Sequence, residues 1–318
     1  MTNRNAPAAS RRRVAIACQG GGSHTAFTAG VLKRLVRDDR HEVVALSGTS
    51  GGAVCAYLTW YALASEGADR AAELLDSFWA EMAATQPWDV ALNALAVTAS
   101  RVEGTVALPA VSPYAFPPWP EQRLRHELDR LVSPDAVKGV TADRLLLVGA
   151  VDVRSGAFRA FSSARGEVRT DAILASAAIP NLFRAIHIDG EAYWDGLFSQ
   201  NPPVRELPHA GPDAIWVVRI NPAARAEELT SVPEILDRRN ELAGNLSLSQ
   251  ELYFIEKINE LVRNGALAGT KYREIAVETI GLDRDLDTAS KLDRSPSFIA
   301  EMMALGEEKA DAFLARLN

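Results

Sequence analysis

Residues 43–56 read Val43-Val44-Ala45-Leu46-Ser47-Gly48-Thr49-Ser50-Gly51-Gly52-Ala53-Val54-Cys55-Ala56. A short apolar run meets a Gly-x-Ser-x-Gly pattern, and a second apolar run follows at once. The first run reads as a buried strand, the glycines as a tight turn, and Gly51 to about Ala64 as a buried helix. Val43 to Ser65 carries no charged residue, a length that would span a bilayer. The glycines clustered near its start favour strand, turn and helix over a membrane helix.

Working outward, Val14 to Cys18 is another apolar run bounded by glycines, and Phe27, Val31, Leu32 and Leu35 recur at helical spacing behind it. Leu145 to Val151 is a continuous apolar strand, and Ala157 to Phe161 is expected to pair with it across Arg154-Ser155-Gly156. Ile186 to Trp194 reads as a hairpin turning at Asp189-Gly190, and Ala214 to Ile220 as a further buried strand. Apolar strands alternating with helices predict an α/β fold with a largely parallel sheet covered on both faces.

The stretch 86–120 differs. Pro113, Pro117, Pro118 and Pro120 surround Tyr114, Phe116 and Trp119. That proline density predicts neither a regular helix nor a central strand, so the stretch is read as a cap or lid. The aromatics Tyr114, Phe116 and Trp119 are candidates for acyl binding or transient contact with a lipid interface. After Pro233 a long helical pattern carries Leu242, Leu246, Leu248, Leu252, Ile255, Ile258 and Leu261, read as core or a dimer face. Asn240, Glu241 and Asn245 read as plain polar helix positions, and 298–317 as a terminal helix. The expected organisation is a flexible tail over 1–11 and one domain over 12–318. Within it, core motifs span 14–204, a lid 86–120 and a helical part 233–318.

Composition narrows the function. The 318 residues carry 34 Lys plus Arg against 41 Asp plus Glu, a net charge of −7, which argues against nucleic acid as the ligand. Hydrophobic residues at 47% and charged residues at 24% exclude disorder of the whole chain. Cys18 and Cys55 lie in apolar runs and form neither a disulfide framework nor a zinc site. The apolar run behind the N-terminal arginines, Val14 to Cys18, is too short for a signal peptide, and with two thiols in apolar runs a cytoplasmic setting is expected. Neither a metal nor an organic cofactor is indicated.

The chemistry centres on Ser50. A serine on a sharp strand-to-helix turn projects its hydroxyl from the sheet, where the helix N-terminus favours developing negative charge. Gln19-Gly20-Gly21-Gly22 follows the first strand, so several backbone N–H groups can face one anion. That loop reads as an oxyanion hole or a phosphate loop. The third glycine of a dinucleotide fingerprint is replaced by Thr25, and no Gly-Lys-Ser/Thr follows. A serine also needs a base. His209 is the histidine that follows a plausible acid, but Pro208-His209-Ala210 has no strand context. Asp195, after Tyr193-Trp194, is an alternative base if partly desolvated.

Taken together, four ordered segments resemble the patatin-like phospholipase family. They are Gly20-Gly21-Gly22 with Gly30-Val31-Leu32; Gly48-Thr49-Ser50-Gly51-Gly52; Ala175-Ser176-Ala177-Ala178-Ile179-Pro180 with Phe183; and Asp195-Gly196 with Asn201-Pro202-Pro203. The resemblance implies a three-layer α/β core and a serine acyl hydrolase acting on lipid or small esters. It implies Ser50 as nucleophile, Asp195 as base, and Gly20, Gly21 and Gly22 as the oxyanion hole. Three positions depart from the family, Thr25 standing where a glycine usually follows the basic residue. His24 stands where a basic residue is usual, and Leu197 follows Asp195-Gly196, where it shapes the pocket floor. An acyltransferase using the same dyad and an inactive lipid-binding protein are the alternatives. With His24 mostly neutral at pH 7, esters of short or medium chains are expected to be hydrolysed at least as well as phospholipid vesicles.

Overall fold

Burial on both faces explains why the central strands carry so few polar side chains. The computed structural model describes residues 11–102, 111–140, 143–180, 182–225, 228–284 and 286–317. In chain order the elements are β1 (Arg12–Cys18), α1 (Ala26–Leu35), β2 (His41–Gly48), α2 (Gly51–Ser65), α3 (Ala68–Met82), α4 (Pro87–Val102), α5 (Trp119–Leu131) and α6 (Pro134–Lys138). They continue as β3 (Leu145–Asp152), β4 (Phe158–Ser162), α7 (Thr170–Ser176), β5 (Ile186–Ile188), β6 (Glu191–Asp195), β7 (Ala214–Arg219), α8 (Val232–Arg263), β8 (Ala276–Gly281) and α9 (Pro296–Arg316). Strands β3, β2, β1, β7 and β8 lie side by side and parallel, β4 and β6 run antiparallel to β3, and β5 pairs with β6. The result is the expected α/β architecture with a mostly parallel sheet.

Because strand side chains alternate, β1 feeds two cores. Val14, Ile16 and Cys18 enter the larger one with Phe27 of α1, Tyr57 of α2, Leu74 of α3, Leu128 of α5, Ile173 of α7 and Met302 of α9. Ala15 and Ala17 face the smaller one with Ala45, Leu147, and Leu248 and Ile255 of α8. Leu248 and Ile255 bring α8 into contact with that face through their side chains. Helices α1 and α9 cross at two glycines. A Cβ on Gly30 would stand 1.9 Å from the Met303 carbonyl oxygen, and one on Gly306 2.1 Å from that of Phe27.

Several expectations change. Residues 87–102 form the regular helix α4, because Pro87 opens it where its missing N–H costs nothing. The prolines that argued against a helix lie further on, beside the turn Pro113–Ala115 and the start of α5. Strand β8 and helices α3 and α5 are also additional to the sequence reading. The leucine stripe of α8 is divided: Leu248 is fully buried, whereas Leu242 and Leu246 are 51% and 60% exposed. Asn245 and Glu241 face inward instead. Residues 1–10 of the expected tail and 103–110 of the expected lid lie outside the described residues. Among the described residues, no helix is long and apolar enough to cross a membrane.

Candidate active site

Strand β2 ends at Gly48 and α2 begins at Gly51, so Ser50 occupies the turn between them. Its φ of 55° and ψ of −132° put a non-glycine residue in a sparsely populated region. Such a conformation costs on the order of 1–3 kcal/mol and persists only where neighbours fix it. Those neighbours are visible. The Ser50 N–H donates to the carbonyl oxygen of Ser176 at 3.1 Å and to its Oγ at 2.9 Å. The Thr49 hydroxyl donates to the Gln200 carbonyl oxygen at 2.6 Å.

Gly20 packs directly on this turn. A Cβ there would come 2.6 Å from the Thr49 carbonyl oxygen and 2.8 Å from Ser50 Cβ. Gly20→Ala is therefore expected to displace Ser50 and lower kcat by about 10²-fold or more, since small misplacements of reacting groups cost that much. Steady-state kinetics on a soluble ester, with circular dichroism as the folding check, reads the effect.

Asp195 closes β6. It is 1% exposed, and its N–H donates to the Ala178 carbonyl oxygen at 3.0 Å. The segment 176–178 at the C-terminal end of α7 thus anchors both Ser50 and Asp195. Asp195 Oδ1 accepts the Leu197 N–H at 2.8 Å. Oδ2 is buried without a hydrogen bond of good geometry among the described residues. Burial raises the carboxyl from 3.8 to about 7, while the Leu197 N–H and the nearby Ser50 hydroxyl pull the other way. The hydroxyl acts on the carboxylate without making a well-aligned hydrogen bond to Oδ2. A carboxyl poised near neutrality can take and return a proton at pH 7.

Ser50 and Asp195 line one cleft of about 750 Å³ with Gly20, Gly21, Gly22, Leu182, Leu197 and Lys291. The Gly20 N–H is already engaged by Asn201 Oδ1 at 2.6 Å. Gly21 and Gly22 donate to no acceptor among the described residues. Gln19 braces the loop from beneath. Its Oε1 accepts the N–H groups of Ile220 and Asn221 at 2.9 and 2.8 Å, and its Nε2 donates to Asn245 Oδ1 at 2.9 Å.

His24 turns away from the cleft. It is 3% exposed, and its Nε2 lies 2.7 Å from Ser290 Oγ. Burial, aided by the Lys291 charge, lowers its pKa to about 3, so it is neutral and supplies no charge to the glycine loop. His209 is exposed on the turn Leu207–Ala210 and lines a separate groove with Arg205 and Tyr272. No histidine is among the described residues of the Ser50 cleft.

Tyr114, Phe116 and Trp119 are 55%, 55% and 67% exposed. The Arg184 guanidinium ties their segment down: it lies over the Tyr114 ring and donates to the Tyr114 and Phe116 carbonyl oxygens. Val111, Ser112 and Pro113 line the cleft, so the aromatics stand beside its mouth rather than inside it. Sequence reasoning missed Asp237 and Lys291, and gave Gln19, Glu241 and Asn245 no role of their own. Polar residues on an amphipathic helix carry no mark of the face they turn inward.

An elbow serine and a buried carboxylate sharing a cleft above a mostly parallel sheet agree with the four ordered motifs. The patatin-like phospholipase family model matches residues 16–208. The chain belongs to that family, whose membership implies a lipid acyl hydrolase. A comparison with curated proteins gives no match. Among solved structures, VipD from Legionella pneumophila is similar over 96% of this chain and 67% of its own, with 11% identity and a TM-score of 0.46. The type III effector protein ExoU is similar over 95% of this chain and 53% of its own, with 15% identity and a TM-score of 0.40.

Proposed function

We propose that the chain hydrolyses carboxylic esters of lipids through a Ser50–Asp195 dyad and an acyl-enzyme. The observation that carries this reading is Asp195: buried in the cleft of Ser50, near neutral pKa, with one oxygen unpaired. Ser50 Oγ attacks the ester carbonyl carbon while Asp195 takes its proton. The tetrahedral oxyanion rests on the N–H groups of Gly21 and Gly22 and on the N-terminal dipole of α2. Gly20 leaves the donor set, since Asn201 already uses its N–H. Gly20 serves by its lack of a side chain. Asp195 returns its proton to the leaving alkoxide, releasing the alcohol and leaving the acyl group on Ser50. Water, deprotonated by Asp195, then attacks the acyl carbonyl; the Ser50 Oγ–acyl bond breaks, Asp195 returns the proton to Ser50 Oγ, and the acid is freed.

Labelling with a fluorophosphonate probe, followed by mass mapping of the adduct, tests the nucleophile. An adduct on a residue other than Ser50 would overturn the reading. We further assign Phe116 and Trp119 to contact with a lipid surface, on the ground of their exposure beside the mouth. Phe116→Ala/Trp119→Ala is expected to lower the ratio of vesicle to soluble-ester kcat/KM by about tenfold, the loss of roughly 1.4 kcal/mol of interfacial burial. An unchanged ratio removes the segment from interfacial binding.

A further inference from the structure

The cleft of Ser50 is lined by two unlike sets of side chains. Val111, Ile179, Leu182 and Leu197 are apolar, whereas Asp237 and Glu241 of α8 and Lys291 of the turn Thr288–Leu292 are charged. Lys291 is the one basic side chain among the described residues of the lining. Its Nζ lies 2.7 Å from Asp237 Oδ1 and 3.7 Å from Glu241 Oε1. The two carboxylates are 7% and 2% exposed and the lysine side chain 21%, so the lysine is the most accessible of the three to a ligand. Arg225 at 2.8 Å and Arg238 at 3.1 Å share Glu241 with it.

The lysine is also fixed to the glycine loop. A Cβ on Gly22 would stand 2.3 Å from the Lys291 carbonyl oxygen, and the neighbouring Ser290 hydroxyl meets His24. The ammonium is near enough to His24 to help keep that ring neutral. Lys291 therefore lines the same cleft as Gly21 and Gly22, with its backbone packed on the loop, in a chain whose overall charge of −7 gives no general attraction for anions.

We propose that Lys291 recognises the phosphate of a phospholipid head group, held toward the cleft by Asp237 and Glu241. This rests on the Ser50–Asp195 reading for the meaning of the cleft. The acyl chain follows the apolar lining, and the phosphate meets the ammonium. An uncharged lipid ester would cover the ammonium, which makes one hydrogen bond to Asp237, without giving its remaining N–H donors a charged acceptor, and burying polar donors without partners is costly. The same wall thus favours a phosphorylated lipid and penalises a neutral one.

The test is binding, so that it does not depend on turnover. A short-chain diether phosphatidylcholine, which has no ester to cleave, and the matching uncharged diether glycerol are titrated into Ser50→Ala protein by calorimetry. The phospholipid is expected to bind about tenfold or more tightly than its uncharged counterpart. Asp237→Asn/Lys291→Gln, made together so that Asp237 is neutralised along with its lysine while Glu241 keeps Arg225 and Arg238, is expected to abolish that preference. Lys291→Arg, which keeps the charge, is expected to retain it. A preference that survives the double substitution, or is absent from the Ser50→Ala parent, overturns the proposal. Failure of wild-type protein to cleave any ester would instead overturn the dyad and leave the binding result standing.

Discussion

Ser50→Ala is expected to reduce ester hydrolysis by roughly 10⁴- to 10⁶-fold, the scale on which removal of a nucleophilic serine acts elsewhere. The fold should survive. The substitution removes one oxygen at a turn whose backbone is held by Ser176, and Ser50 donates to those acceptors through its N–H rather than its side chain. Alanine keeps the Cβ and therefore the cost of the positive φ, so the melting temperature should move little. Ser50→Gly separates the two properties. It loses the hydroxyl as well, but φ of 55° costs glycine nothing, and the protein should melt at a higher temperature. Hydrolysis by Ser50→Ala within a factor of ten of wild type would place the nucleophile elsewhere.

Asp195 yields the second large effect, and it has opposite signs in activity and stability. As a base it must be ionised, so kcat/KM should rise with pH and level off above about 7, where its carboxyl titrates. Stability should run the other way. The folded carboxyl holds its proton up to about 7, whereas an unfolded one releases it near 3.8. Between those values the native state binds more protons, so this group's contribution to stability is complete below pH 4 and declines up to pH 7. Above pH 7 the buried charge costs on the order of 4 kcal/mol, as an upper figure. Asp195→Asn should lower kcat by several orders of magnitude and raise the melting temperature at pH 8. It should have little effect on melting near pH 4. A variant that melts lower at pH 8 would show the carboxylate to be stabilised by contacts other than those to Leu197 and Ser50.

The course of the sheet and the position of Ser50 are legible in the sequence because both are local. Val43 to Leu46 is uninterruptedly apolar, and glycines stand where the turn needs them. Asp195 is legible through its order after Ser50 and the aromatic pair before it. What escapes local reading is pairing across the chain. The Gly20 amide looks free until Asn201, far along the sequence, is seen to accept from it. The same holds for α8: Leu242 and Leu246 suggest a buried face, yet the helix turns Glu241 and Asn245 inward. The Gln19 amide needs a partner there, and Arg225, Arg238 and Lys291 need a carboxylate. His24 misleads in the opposite direction. It takes the place of a cation in the motif but is buried neutral, and the cation among the described residues of the cleft lining is Lys291. Helix α4 shows the weight of position: proline forbids a helix interior but suits its first turn.

The crossing of α1 and α9 at Gly30 and Gly306 has a practical corollary for anyone cutting or fusing this chain. The family model ends at residue 208, which invites a minimal fragment with that boundary. Such a fragment would lack β7, leaving one edge of β1 unpaired, and would lose α9, uncovering the helix that directly follows the glycine loop. An open apolar strand edge is a template for self-association. Library design faces the same constraint in miniature. Randomising either glycine drives a side chain into the opposite helix backbone, so α1 and α9 are better diversified on their outward faces, with both crossing points held constant.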